Sequence, residues 1–314
     1  MIKNVDYMPD DFVYSCHNLH IKGPVGISTR KLGEDHMHVI SQQDAEEFYR
    51  EGFFIAESCV DASIIDNARR YIDDNYFDFL KASKRQDDWR IHFQLDLTKL
   101  EHGAEHAPIL DLLLQSPKVM GRLKCLLGCE LAGIFYSQIA LRTPVTSGNR
   151  EEIYSPGAEY HIDGQANASG DRFPDPWSVQ IGIALVDIIT EDMGNFTVFP
   201  KCHTSRSWRN YCEEKKTKTL PNLGPPHKIC LKAGDVVFVH CLLPHRGGKN
   251  IHLVSDDEVS NYSIVNNIPK KTREMVFIRI KGESINYDAS ERSNKVIEDP
   301  WDDFKSFLTT YNLG

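Results

Sequence analysis

Near residue 130 the spacing of apolar residues changes from a helical to a strand-like period, and this change constrains the fold more than any other feature of the chain. Before it, Ile64, Ile65, Ala68, Tyr71, Ile72, Phe79 and Leu80 recur every three to four positions, marking one apolar helix face between Asp61 and Ser83. The segment SQQDAEEFYREG opens on Ser41, a good N-cap, and stops at Gly52 ahead of Phe53-Phe54-Ile55, which reads as helix, glycine stop, strand. A further apolar block runs from Pro108 through Leu127. After it come short alternating apolar segments separated by Gly, Pro, Asn and Asp: Leu131 to Leu141, Glu159 to Asp163, Ser178 to Val186, Asn195 to Phe199, Lys228 to Leu231, Val236 to His240 and Arg273 to Ile280. Seven or eight short strands after a helical half predict a mostly β fold with flanking α-helices, a double-sheet jelly roll whose outer face the N-terminal helices cover.

One domain over residues 1–314 accommodates this pattern: an N-terminal segment 1–40, mainly helical support 41–129, a jelly-roll core 130–282, and a tail 283–314 with a short helix around Trp301 to Leu308. The stretch 249–272 is long, polar and aperiodic, and is expected to be an insertion or lid over a site. A net charge of -9 offers no overall attraction to nucleic acid or to an anionic membrane surface, so the expected partner is a small-molecule substrate, bound by a monomer. Met1 to His20 lacks the basic start and apolar stretch of a secretory signal, and no apolar run is long enough to span a bilayer. The eight cysteines are scattered, with Cys125 and Cys129 at helical spacing rather than in a CxxC pair. Free thiols and a cytoplasmic location are therefore expected.

His161-Ile162-Asp163 follows Tyr160 in a candidate strand, and His245 closes the segment GDVVFVHCLLPH. Two imidazoles and one carboxylate make the set that binds Fe(II) on one face and leaves the opposite face open. Because strand side chains alternate, an HxD pair aims both ligands to one side of a sheet, where a distant His can meet them. Taken alone the pair says little: with 13 histidines, about one HxD arises by chance. His36-Met37-His38 and the i, i+4 pair His102 and His106 are alternatives, the latter without the glutamate of an HExxH helix, and surface or packing roles account for both.

Four blocks in fixed order give the pair its context: Arg142-Thr143-Pro144, Tyr160-His161-Ile162-Asp163, MGNFTVFPKCH from Met193 to His203, and GDVVFVHCLLPHRGGKN from Gly234 to Asn250. In these the chain resembles the phytanoyl-CoA dioxygenase (PhyH) family, over roughly residues 40 to 282. The resemblance implies a double-stranded β-helix, a cupin-like jelly roll, with His161, Asp163 and His245 as catalytic metal ligands and with Fe(II), 2-oxoglutarate and O2 as cofactors. It places His240 at the family's non-ligand histidine and makes His203 a turn residue. It puts the arginine that holds the distal carboxylate of 2-oxoglutarate at the start of the last strand, Arg273 in REMVFIRI, with Arg279 as competitor and with Gln138 and Arg142 as further co-substrate contacts. An arginine suits that task because its planar fork takes a carboxylate by two parallel hydrogen bonds. The chain departs from the family in having Arg246-Gly247 after the ligand histidine, where relatives often carry a small residue and Ser, and in the insertion that precedes Arg273.

What the resemblance implies chemically is oxidation of a substrate C–H bond with release of succinate and CO2: hydroxylation, desaturation or oxidative cyclisation. Asp163 stands where the family's halogenases have Gly or Ala, which argues against halogenation. Arg142, Arg246 and Arg279 exceed what one co-substrate carboxylate needs, so a second anion is expected, with Arg246, Arg279 and Tyr160 as substrate contacts; salt bridges to nearby carboxylates would account for the arginines equally well. Some members of the family oxidise amino-acid-derived natural products, including ring closures that yield kainoids. The competing readings are a fatty acyl-CoA hydroxylase of the same family, a cupin-like enzyme that uses O2 without 2-oxoglutarate, and a catalytically silent jelly-roll binding protein.

Overall fold

A computed structural model describes residues 40–82, 90–94, 109, 116–128, 131–144, 160–166, 172–174, 177–217, 223–251, 271–282 and 295–314. Two helix ends read from sequence are present. Helix α1 (Gln42–Glu51) starts where the Ser41 hydroxyl accepts the Asp44 amide at 3.0 Å, and it ends at Gly52, whose positive φ of 86° returns its N–H to the Phe48 carbonyl. Strand β1 (Phe53–Ala56) follows directly. Helix α2 (Ala62–Ala82) buries Ile65, Ala68, Ile72, Tyr76 and Phe79, the stripe seen in the sequence.

The remaining elements are β2 (Arg90–Gln94), α3 (Pro117–Leu127), β3 (Leu131–Arg142), β4 (Gly164–Ala166), β5 (Arg172–Pro174), β6 (Val179–Ala184), β7 (Phe196–Val198), α4 (Ser205–Thr217), β8 (His227–Lys228), β9 (Val236–His240), β10 (His245–Gly247), β11 (Arg273–Gly282), a 3-10 turn (Asp302–Phe304) and α5 (Lys305–Tyr311). Six strands form one sheet in the order β1-β9-β6-β11-β3-β2, three form a second as β10-β7-β8, and β4 pairs with β5. Every paired strand runs antiparallel to its neighbour. The expected mostly β fold with flanking helices is thus what the chain adopts.

Alternation along the strands separates two cores. On β9 and β11, Val236, Phe238, Val276, Ile278 and Ile280 join the cluster under the helices, where Phe54 stacks on Phe238 at 4.7 Å and Phe48 packs edge-on against Phe304 and Phe307. Val237, Val239, Met275 and Phe277 face the other way, toward Phe196, Val198, Ile229 and Leu231 of the smaller sheet and its flanks. The space between the sheets holds the candidate site. A third cluster of Tyr160, Ile162, Trp177, Phe199, Trp208 and Tyr211 lies under α4.

Three sequence expectations differ in detail. The strand expected over 159–163 is, within its described residues 160–163, only a bridge between His161 and His245, because β4 starts one residue past the metal motif. The strand expected over 228–231 is the pair His227–Lys228 plus a separate Ile188–Leu231 bridge. Helix α4 carries no strong apolar repeat beyond Trp208 and Tyr211, and the pattern did not disclose it. Of the insertion expected to be a lid, residues 252–270 lie outside the described residues, as do His36, His38, His102 and His106.

Candidate metal centre

The turn after β9 sets the centre. Sheet alternation puts His240 on the same side as Val236 and Phe238, facing the helices, and its ring sits among Phe48, Trp301 and Phe304. The Leu242 amide donates to His240 Nδ1 at 3.1 Å, so the proton is on Nε2, which donates to the Pro300 carbonyl at 2.8 Å. With the Leu243 amide also returning to the His240 carbonyl, a corner forms that carries the chain from the large sheet to the small one.

His245 opens β10 on the far side of that corner. Its backbone exchanges both hydrogen bonds with His161, each at 2.9 Å, which holds the two imidazoles side by side with ring centroids 4.4 Å apart. His245 Nδ1 faces the Leu243 carbonyl at 2.9 Å; a carbonyl only accepts, so Nδ1 carries the proton and Nε2 keeps its lone pair. That Nε2 lies 3.7 Å from Asp163 Oδ2, while His161 Nε2 lies 3.6 Å from Oδ1. One ligand atom from each of the three residues falls within 4.8 Å of the others.

Electrostatics keep all three in the ligand form. Burial pushes the His245 imidazole below its ordinary value. Burial and repulsion from His245 do the same to His161, moderated by the 46% of its side-chain surface that stays exposed. Burial alone would raise Asp163, but the charge of Arg279, which also donates to it, outweighs this and holds the carboxyl at about 2. Two neutral imidazoles and one carboxylate, with one ligand atom from each brought together, fit a divalent iron held by one face.

Around this triad the structure distributes the other sequence candidates. Arg273 is 2% exposed, and its side chain turns along β11 toward the centre: Nη1 meets Met275 Sδ at 3.3 Å and the guanidinium stands 6.0 Å from the Phe277 ring. Phe277 in turn packs on Phe196 at 5.0 Å, and Phe196 on His245 at 5.2 Å. Arg273 Nε and Nη2 are buried with no acceptor among the described residues, and burial pushes the group down to about 9, still protonated at neutral pH. Arg142 pairs with Arg273 across β3 and β11 and donates to the Leu141 carbonyl at 3.0 Å. Gln138 pairs with Phe277 and shares the face of Ala140, toward the inner cluster.

Arg279 comes from the opposite end of β11. It grips Asp163 Oδ2 twice, from Nε at 2.9 Å and Nη2 at 2.8 Å, and lies over the Trp177 ring at 5.7 Å. Arg246 stands 6.0 Å from the Phe199 ring. The Tyr160 hydroxyl donates to Glu214 of α4, and burial, with that bond, raises the phenol above its ordinary range.

Several residues near the centre had no motif to mark them. Trp177 is 1% exposed, and its buried indole N–H and the buried Oε1 of Gln180, which pairs with Arg279 across β6 and β11, have no partner among the described residues. Arg172 and Lys215 both stand over the Tyr211 ring, at 5.5 and 5.6 Å. Lys215 is near enough for its charge to act on His161, and Asp163 near enough to act on Tyr211, whose phenol burial pushes up to about 12. Only Gln180 could have been found from sequence, since it alternates with Ile181 and Ile183 and so shares the inner face.

Residues 48–252 match the family described as phytanoyl-CoA dioxygenase (PhyH). No curated protein matches the chain. Among solved structures, the non-heme alpha ketoglutarate dependent carbocyclase SnoK from nogalamycin biosynthesis is similar at a TM-score of 0.49 and 16% identity, covering 80% of this chain and 87% of its own. AviO1 from Streptomyces viridochromogenes has a TM-score of 0.48 and 16% identity, with 78% and 96% covered. HygX from Streptomyces hygroscopicus, with nickel and 2-oxoglutarate bound, has a TM-score of 0.47 and 11% identity, with 78% and 88% covered.

Proposed function

The chain belongs to the phytanoyl-CoA dioxygenase family of Fe(II)- and 2-oxoglutarate-dependent oxygenases, and from that premise we propose that it oxidises a C–H bond of a small, carboxylate-bearing molecule by hydroxylation, desaturation or oxidative cyclisation. An amino-acid-derived natural product such as a kainoid precursor fits that description. His161, Asp163 and His245 hold the iron in this proposal. The observation that carries the co-substrate assignment is Arg273: a protonated guanidinium, buried between the sheets, with two nitrogens lacking an acceptor among the described residues and one packed ring pair away from His245. A buried unpaired cation is costly, and the distal carboxylate of 2-oxoglutarate satisfies it in the two-point geometry that a guanidinium favours. The family match ends at residue 252, so Arg273 rests on this geometry rather than on the match. Gln138 and Arg142 line the same face as further contacts.

Iron with 2-oxoglutarate, when bound, supplies the oxidising power that removes hydrogen from carbon. The protein's own residues orient and enclose. Phe196 and Phe277 pack as an apolar wall between Arg273 and His245. On the substrate side, Arg172 and Lys215 over Tyr211, with Arg246 over Phe199, gather positive charge near the triad in a chain whose net charge is -9. These cations support an anionic substrate, which in this proposal they draw in and orient. Tyr160 contributes by tying α4 to the metal-bearing segment through Glu214.

Release of succinate and CO2 from 2-oxoglutarate on adding Fe(II), accelerated by one of a panel of carboxylate-bearing small molecules, is the test. Absence of Fe(II)-dependent succinate under every condition would overturn the oxygenase activity. Stimulation by acyl-CoA thioesters and not by small carboxylates would overturn the substrate class.

A further inference from the structure

We infer that Arg279 is a positioning residue that couples iron and 2-oxoglutarate binding to one another, through a fixed positive charge held on the metal-ligating carboxylate. The inference rests on the metal centre and co-substrate proposed above.

Two nitrogens of Arg279, Nε and Nη2, converge on one oxygen, Asp163 Oδ2, at 2.9 and 2.8 Å. Oδ1 is left facing His161 Nε2 at 3.6 Å, so the grip presents one carboxylate oxygen to a metal and restrains the other. The guanidinium is itself pinned. The Trp177 ring lies 5.7 Å from it, Gln180 flanks it in the next strand, and only 11% of the Arg279 side chain is exposed. A charge so enclosed is screened little by solvent or salt.

Charge balance gives this arrangement a consequence. A metal takes imidazole ligands in their neutral form, so the only negative group of the triad is Asp163, and Arg279 is already paired with it. Arg273 adds a second buried positive charge nearby. A dication entering alone therefore meets a site with no net negative charge, and the repulsion from Arg279 opposes it. Adding the 2-oxoglutarate dianion reverses the sign of that contribution, because the same guanidinium now attracts the incoming charge. Arg279 thus weakens metal binding alone and strengthens it in the presence of the co-substrate, and linkage makes the effect reciprocal. Arg273 contributes differently, since it contacts the co-substrate and not Asp163.

The test uses Ni(II), which binds without turnover, titrated calorimetrically into the metal-free full chain with and without saturating 2-oxoglutarate. In the wild type the co-substrate tightens Ni(II). In Arg279→Met that tightening factor falls by about tenfold or more, while affinity for Ni(II) alone is unchanged or higher. Arg279→Lys retains the charge and keeps most of the factor, and it also serves if the Met variant does not fold, as thermal denaturation would reveal. An unchanged factor in Arg279→Met, loss of the factor in a folded Arg279→Lys, or a folded Met variant that loses Ni(II) binding alone overturns the inference. Failure of 2-oxoglutarate to bind the Ni(II)-loaded wild type overturns instead the cofactor assignment on which it rests.

Discussion

His240 and His245 stand at the two ends of one corner with opposite faces bonded: His240 uses Nδ1 to accept from Leu242 and Nε2 to donate to Pro300, whereas His245 donates from Nδ1 to Leu243 and keeps Nε2 for the cavity. The first histidine builds the corner and the second is aimed by it. Replacing His245 with Ala should abolish Ni(II) binding while leaving the fold intact. Replacing the fully buried His240 with Ala should cost about 2 to 4 kcal/mol of stability, through a cavity and two lost hydrogen bonds, yet preserve Ni(II) affinity within a few fold. Calorimetry and thermal denaturation on both variants separate the roles. A stably folded His240→Ala that no longer binds metal would put His240 in the coordination sphere.

In the proposed assignment Arg273 is a cation kept at the expense of stability. Its guanidinium is buried with Nε and Nη2 unpartnered among the described residues, so Arg273→Met should raise the stability of the metal-free protein, by on the order of 1 to 2 kcal/mol. The same change should weaken 2-oxoglutarate binding by roughly 2 to 5 kcal/mol, because the distal carboxylate is then desolvated without its partner. Metal affinity in the absence of co-substrate should not fall. Denaturant titration and calorimetry give both halves, and a variant that is less stable and binds 2-oxoglutarate normally would remove Arg273 from the anchor position.

Much of this centre was legible because strand alternation is a local rule. The run from Arg273 to Ile280 places Arg273, Met275, Phe277 and Arg279 on one side, and in the structure Met275 and Phe277 line the inner core while Val276 and Ile278 face the helices. The helix signals at Ser41 and Gly52 were equally local. What alternation cannot supply is the direction in which a long side chain leans. Arg273 and Arg279 are six residues apart, which looks too far for a shared site, yet Arg273 bends along the strand toward Phe277 while Arg279 reaches Asp163 from the other end. Arg172 and Lys215 carry no such signal, because a three-residue strand and a helix without a strong apolar repeat bring them together only by packing around Tyr211, and Trp177 lies in no strand or helix.

His203 makes stability depend on pH. Its Nε2 donates to the Tyr49 carbonyl at 3.1 Å, its Nδ1 lies buried against Gly52, and burial pushes the ring down to about 4. As pH falls below 6.5, the ordinary value, the unfolded chain takes up a proton that the folded chain refuses until about 4. Stability contributed by this group is therefore complete above 6.5 and declines as pH falls toward 4, by on the order of 3 kcal/mol. The His161 and His245 rings add to the same acid limb, so the measurement is the difference between wild type and His203→Gln across the range. The variant should lose less stability on acidification, and identical pH profiles would refute the assignment.

Gly194 is where backbone conformation and the site meet. It precedes Asn195, whose side chain binds the Met193 amide and the Thr190 and Ile229 carbonyls, and this network fixes Gly194 at a φ of 79°. A β-carbon there would lie 2.9 Å from Arg142 Cβ and 3.3 Å from Arg273 Cβ, so Gly194 allows the loop to close over the stems of both arginines. Gly194→Ala carries two penalties, backbone strain and displacement of those stems. Gly224, at a φ of 81° and with nothing within 4 Å of the point a β-carbon would occupy, carries only the first. Gly224→Ala should therefore cost about 1 kcal/mol, and Gly194→Ala about 2 to 4 kcal/mol. The excess should be accompanied by weaker 2-oxoglutarate binding in Gly194→Ala alone, because shifting Arg273 misplaces the fork that receives the carboxylate. Equal costs for the two substitutions, with co-substrate affinity untouched, would mean that the loop yields without moving Arg142 or Arg273 and that Gly194 serves the turn only.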